Sequence, residues 1–142
     1  VEFRYQALGR GISLALCFAK HSGDLDACLA TRVLSHAFRA EHADEVERIR
    51  ALARVHPTSR MNMGRLLAAA ARHDAREALP AISAQTLVLL GERDPLPTCE
   101  SQQQLLESIP NVRLEVIAGA GHDISAESPA LTAERVLAFL DA

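Results

Sequence analysis

Two residues in the second half of the sequence, Asp94 and His122, have the side chains and the placement of a proton-transfer pair. Asp94 follows an apolar run at 86–90, and His122 follows a second β-rich run at 112–117. A carboxylate that accepts from one imidazole nitrogen holds the ring in one tautomer, so that the other nitrogen can take a proton. The two residues therefore predict a catalytic pair in which Asp94 orients the ring and His122 is the general base. A nucleophile is not evident in the same stretch.

The elements around this pair predict two parallel strands joined by a helix. Residues 86–90 are apolar without alternation, which indicates a strand buried on both faces, as in a parallel sheet. Residues 99–109 predict a helix, and 112–117 alternate apolar with charged residues, which is typical of a half-exposed strand near a sheet edge. A last helix begins near Pro129. In a parallel sheet the loops after the strands converge at one edge, which would bring Asp94 next to His122.

The first part of the chain predicts helices only. Apolar residues recur at helical spacing in 8–20, 25–38, 43–55 and 61–71, with Asp24 as a candidate N-cap for the second helix. The change of character at Pro80 predicts a helical region at 1–80 and a βαβα unit at 81–142. Because two strands alone make a poor sheet, further strands are expected from elsewhere.

Composition narrows the classes of function. The net charge of −3 gives no electrostatic footprint for nucleic acid, and no apolar run approaches the roughly 20 residues of a membrane span. Three widely spaced cysteines, Cys17, Cys28 and Cys99, argue against a disulfide framework and favour a reducing, cytoplasmic compartment. The chain starts at Val1 without a charged and apolar leader, so we expect no secretory signal and a piece of something longer.

The stretch 87–95, Leu-Val-Leu-Leu-Gly-Glu-Arg-Asp-Pro, followed by Gly119-Ala120-Gly121-His122 and a closing helix, resembles the C-terminal part of an α/β-hydrolase. In that family an acid follows one late strand and the histidine follows the last. The segment Glu127-Ser128-Pro129 is similar to the family's stretch after the histidine. The resemblance covers 81–142 well, whereas 1–80 is similar to the family's variable cap in position and type only.

The resemblance implies a partial α/β-hydrolase fold, with a helical cap or lid at 1–80 and the C-terminal part of the core at 81–142. The implied activity is hydrolysis of an ester or similar bond of a small substrate through a covalent intermediate, with no cofactor and no metal. Asp94 and His122 would be catalytic, and the nucleophile elbow, Gly-x-Ser-x-Gly, would lie upstream of Val1. Apolar residues in the helical part favour an apolar acyl or aromatic substrate; they are Leu14, Phe18, Phe38, Leu66 and Leu67.

Other interpretations stay open at this point. Asp94 alone could be a turn residue before Pro95, and His122 alone a loop histidine. Ser13 could belong to a degenerate nucleophile elbow, but no predicted strand precedes it and the glycine two positions after it is absent. Glu92 and Asp123 flank the pair and could replace the acid, although a solvated charge is the simpler interpretation.

Alternatives for the whole chain also remain. The protein could be an interaction or regulatory module that keeps the fold without the chemistry, or an enzyme of cofactor-free perhydrolysis. The remaining five histidines show no metal-binding spacing; they are His21, His36, His42, His56 and His73. The expected partner is a small-molecule substrate, with neither nucleic acid nor membrane, and the unpaired edge of the strand at 86–90 could lead to self-association.

Overall fold

The computed structural model describes residues 25–55, 57, 59–97 and 99–142. The described residues fall into two compact units. The first contains 25–31 and Asp44–His73, and the second contains Arg32–Ala43 and Asp74–Ala142. The predicted helix at 8–20, the Asp24 cap and Ser13 lie outside the described residues.

The first half of the described chain is helical, as its apolar periodicity predicts. Its helices are α1 (Leu25–Val33), α2 (His36–Glu41), α3 (Ala43–Val55) and α4 (Arg60–Arg72). Ser59 caps α4, where its hydroxyl accepts from the backbone N–H of Asn62 at 3.2 Å. The pairing of Arg54 with Glu47 on α3 is exposed, so it contributes little stability.

The prediction of one helix at 25–38 is wrong, because Ser35 ends it. The backbone of Ser35 is extended, with φ −61° and ψ 156°, and its hydroxyl accepts from the N–H of Phe38 at 3.2 Å. A serine that satisfies a free N–H at the start of a helix stabilises that start by about 1 kcal/mol. The chain therefore breaks between α1 and α2, and Leu34 and Ser35 are buried at the break.

The second unit contains the predicted βαβα arrangement. After a 3-10 helix at Arg76–Ala81, β1 (Thr86–Gly91) leads through α5 (Cys99–Ser108) to β2 (Val112–Ile117). The two strands are parallel, and their register runs from Thr86 opposite Val112 to Gly91 opposite Ile117. The short helix α6 (Ile124–Glu127) and α7 (Pro129–Leu140) follow. Helix α5 contacts β2, and α7 contacts β1.

The two strands are only half covered in this part of the chain. Residues of β1 are half-buried except for Gly91, which is buried, and among the described residues the only strand paired with β1 is β2. On β2 the side chain of Val116 is 55 % exposed, whereas Ile117 on the opposite face is 2 % exposed. An apolar strand of this kind needs more cover than the described residues provide.

Helix α7 has an apolar stripe that faces solvent. Val136, Leu137 and Leu140 are exposed by 38 %, 59 % and 70 % of their surface. Within the ranges described, the helices are too short or too polar for any of them to cross a membrane.

Candidate active site

The structure brings Asp94 and His122 into direct contact. Oδ2 of Asp94 lies 2.8 Å from Nδ1 of His122, although 28 residues separate them in the sequence. A carboxylate can only accept, so Nδ1 carries the proton and donates it. The Asp94 side chain is 4 % exposed, whereas that of His122 is 47 % exposed. The pair therefore has a covered acid and a ring whose other nitrogen, Nε2, has no hydrogen bond within the described residues.

Each oxygen of the Asp94 carboxylate has its own partner. While Oδ2 accepts from His122, Oδ1 accepts from the backbone N–H of Leu96 at 2.8 Å. The backbone of Asp94 is also fixed, because its N–H donates to the carbonyl of Gly91 at the end of β1, at 3.1 Å. This tight turn directs the carboxylate toward the next strand end, where His122 lies.

Backbone hydrogen bonds join the loop after β1 to the loop after β2. The N–H of Glu92 donates to the carbonyl of Ile117 at 2.9 Å, and the N–H of Arg93 donates to that of Ala120 at 2.8 Å. The Glu92 carboxylate in turn accepts from the N–H of Gly119 at 2.9 Å. Gly119 has φ +73°, a backbone conformation that glycine adopts without strain. These bonds fix the position of one loop relative to the other.

Gly91 allows the two loops to approach closely. A Cβ at residue 91 would lie 1.8 Å from the carbonyl oxygen of Gly121 and 2.5 Å from that of Ala120. These distances are far below van der Waals contact, so only glycine fits the end of β1 while the histidine loop stays in place. The backbone next to His122 therefore packs directly on the end of the strand that leads to Asp94.

The neighbouring carboxylates that could have replaced Asp94 have other partners. Glu92 binds the backbone of Gly119, and Asp123 caps α6 by accepting from the N–H of Ala126. Asp123 also accepts from the hydroxyl of Ser125 at 2.7 Å. Of the three carboxylates in these loops, Asp94 is thus the one that contacts the imidazole.

The other residues considered from the sequence lie apart from this pair. Cys28 is fully buried, in line with a core residue. Cys99 begins α5, but its side chain is outside the described part, as is Cys17. In the portion of the chain that the structure describes, no group of three or more histidine, cysteine or acidic side chains could hold a metal ion.

The sequence did not predict a contact near the site between two residues, Glu127 and Ser35. The carboxylate of Glu127 accepts from the backbone N–H of Ser35 at 2.7 Å, across 92 residues. Glu127 belongs to the Glu-Ser-Pro segment that resembled the hydrolases, yet nothing in the sequence connected it to Ser35. The break at Ser35 had one signal in the sequence, because serine is a common N-cap residue and here lies inside a helical pattern.

Comparison with known proteins gives one partial sequence match and several matches of structure. No family model matches the sequence. A stretch of 75 residues, 53 % of this chain, is 41 % identical to the polyketide synthase ThaQ of Burkholderia thailandensis and covers 4 % of that protein.

The chain is similar in structure to several solved proteins over nearly all its length. It aligns with MGS-M2, an α/β hydrolase from a Medee basin deep-sea metagenome library, with TM-score 0.73 and 24 % identity over 99 % of this chain and 51 % of that one. For a hydrolase from Pseudomonas aeruginosa the TM-score is 0.74 and the identity 25 %, and the alignment covers 96 % of this chain and 51 % of that one. For a thermophilic esterase from Thermogutta terrifontis the TM-score is 0.65 and the identity 25 %, and the alignment covers 91 % of this chain and 48 % of that one. The chain thus spans about half the length of these structures.

Proposed function

Because this chain has the α/β-hydrolase fold over about half the length of the proteins it resembles, we propose that it belongs to a hydrolase with a nucleophile–His–Asp triad. The observation that carries the proposal is the 2.8 Å contact between Asp94 Oδ2 and His122 Nδ1 at adjacent strand ends. The bond cleaved is an ester or a similar acyl bond. The same triad geometry occurs on unrelated folds, so the roles rest on geometry and not on position in the sequence.

In this proposal each side chain has one task. Asp94 accepts from Nδ1–H and keeps His122 in the tautomer whose Nε2 is free to take a proton. His122 removes the proton from the nucleophile and later gives it to the leaving group. The low exposure of Asp94 supports this role, because water has little access to a covered carboxylate and competes less with the imidazole N–H for its oxygens.

The nucleophile is proposed to lie upstream of Val1. The hydroxyls and thiols of the described residues form no hydrogen bond with His122. The incomplete cover of β1 supports further strands on the edge with which no described strand pairs. There a strand–Gly-x-Ser-x-Gly–helix turn would present a serine and an oxyanion hole. In this scheme residues 1–80 form a cap.

The substrate is proposed to be small and apolar. Of the apolar residues that favoured it, Leu66 and Leu67 are exposed, whereas Phe38 is buried at 9 % exposure and serves packing. Specificity depends on pocket shape, which the fold does not determine. We place the reaction in the cytoplasm, which the odd number and wide spacing of the three cysteines in the sequence support.

A second candidate is favoured by the sequence match to a polyketide synthase. The 41 % identity over 75 residues supports a chain that is one domain of a larger synthase, acting on a polyketide acyl group. The same Asp94–His122 pair would serve this reaction, because hydrolysis of an ester and of a thioester both need an activated nucleophile. Relative rates on an ester and a thioester of one acyl group distinguish the two candidates.

The experiment that tests the proposal is hydrolysis of nitrophenyl esters by the full-length protein, beside residues 1–142 alone. We expect turnover by the full-length protein and none by the isolated chain, since the nucleophile lies outside it. Product analysis with added hydrogen peroxide separates hydrolysis from perhydrolysis. A full-length protein that is folded but turns over neither esters nor thioesters would contradict the proposal and favour a non-catalytic module.

A further inference from the structure

The loop that carries His122 is held on two sides, and the second side is the break between α1 and α2. On the first side the loop packs against Gly91 at the end of β1. On the second side the N–H of Asp123 donates to the carbonyl of Val33 at 2.9 Å, and the Glu127 carboxylate accepts from the N–H of Ser35 at 2.7 Å. Two residues that follow His122, Asp123 and Glu127, are therefore hydrogen-bonded to a segment about 90 residues earlier.

The packing at Gly121 shows how closely this second side fits. A Cβ at residue 121 would lie 2.6 Å from Oε1 of Glu127, 2.6 Å from the backbone nitrogen of Ser35 and 2.9 Å from the carbonyl oxygen of Val33. Oε1 of Glu127 thus lies beside Gly121, the residue that directly precedes His122. The same oxygen accepts from Ser35, and a charge-assisted bond of this kind is short and strong.

We propose that Glu127 is a positioning residue for His122, which acts by fixing the histidine loop to the backbone of Ser35. The inference rests on the proposed function, because it assigns Glu127 to the same acid–histidine site. Without the Glu127 bond the second side keeps only the bond from the Asp123 N–H to the Val33 carbonyl, and the imidazole can tilt away from Asp94 more easily. The position of His122 therefore depends on the break between α1 and α2, a segment of the helical part of the chain.

The test compares variants of the full-length protein that separate this bond from simple stability. Glu127→Ala removes the acceptor, whereas Glu127→Gln keeps a carbonyl oxygen that can accept from Ser35. Ser35→Pro removes the donor at a residue whose φ of −61° proline can adopt. Ser35→Ala removes the helix cap but keeps the donor, and Glu134→Ala on α7 is the exposed control.

The expected effect is on kcat and on the imidazole itself. Glu127→Ala and Ser35→Pro should lower kcat about 10- to 100-fold with little change in KM, since small misplacement of a catalytic group costs this much. They should also change the ¹⁵N chemical shifts of the His122 ring, which report its tautomer and its bond to Asp94. Glu127→Gln, Ser35→Ala and Glu134→Ala should keep values close to those of the wild type.

The ¹⁵N shifts make this inference testable apart from the enzyme activity. If no ester is hydrolysed, the proposed function fails, but a change in the His122 shifts that is confined to Glu127→Ala and Ser35→Pro still supports the positioning role. Folded Glu127→Ala protein with wild-type His122 shifts and wild-type kcat would overturn it. An equal effect of Ser35→Ala and Ser35→Pro would also overturn it, because the helix cap would then be the cause.

Discussion

Replacing His122 by alanine in the full-length protein is expected to lower kcat about 10⁴- to 10⁶-fold, the range seen when members of other hydrolase triads are removed. The reason is that in the proposed mechanism His122 alone both receives the proton of the nucleophile and protonates the leaving group. The free energy of unfolding of this variant should change little, because the His122 side chain is 47 % exposed. Steady-state kinetics on a nitrophenyl ester, with a thermal melt of each variant, measure both effects.

Asp94→Asn is the matched variant and is expected to cost somewhat less, about 10⁴-fold. Oδ1 of Asp94 accepts from the N–H of Leu96, so the asparagine keeps its oxygen there and turns its amide NH₂ toward His122. That NH₂ can only donate, which forces Nδ1 to accept and places the ring proton on Nε2. The ring then cannot take a proton from a nucleophile. A kcat that barely changes in both variants would remove the catalytic assignment of the pair.

Gly91→Ala is expected to have the largest effect on stability, with a loss of about 3 kcal/mol or more of unfolding free energy. The added methyl group would lie 1.8 Å from the carbonyl oxygen of Gly121 and 2.5 Å from that of Ala120, and both are backbone atoms that cannot rotate away. The end of β1 must therefore separate from the histidine loop, which also increases the distance between Asp94 and His122. Urea unfolding followed by circular dichroism measures the stability.

Gly64→Ala is the control for this change. Gly64 lies inside α4, and a Cβ there meets nothing within 4 Å. Alanine is a better helix former than glycine by about 1 kcal/mol, so this variant should be slightly more stable than the wild type. If Gly91→Ala unfolded at the same urea concentration as the wild type, the close packing of the two loops would be wrong.

The strands and the acid–histidine contact could be predicted because local patterns determine them. A continuous apolar run that ends in glycine predicts a buried strand, and the alternation at 112–117 predicts a half-exposed one. Right-handed parallel connection then places both strand ends on one edge of the sheet, so Asp94 and His122 meet. The hydrogen bond between them follows from topology, without any knowledge of distant contacts.

The break at Ser35 and the role of Glu127 could not be predicted in the same way. The apolar stripe across 25–38 is compatible with one continuous helix. The Ser35 hydroxyl, which caps the start of α2, divides it into two helices. Glu127 contacts Ser35 across 92 residues, and a single sequence has no signal for such a pair. The steric need for glycine at 91 depends likewise on backbone from another loop.

The central claim is that Asp94 and His122 activate a nucleophile that lies outside this chain, and labelling with a phosphonate that reacts with activated serines tests it most directly. The full-length protein is treated with the reagent, and the modified residue is located by mass spectrometry in the wild type and in His122→Ala. We predict that one serine outside residues 1–142 is modified in the wild type, and that its labelling is lost in His122→Ala. A wild type that is not modified, or a serine that reacts equally fast in His122→Ala, would contradict the claim.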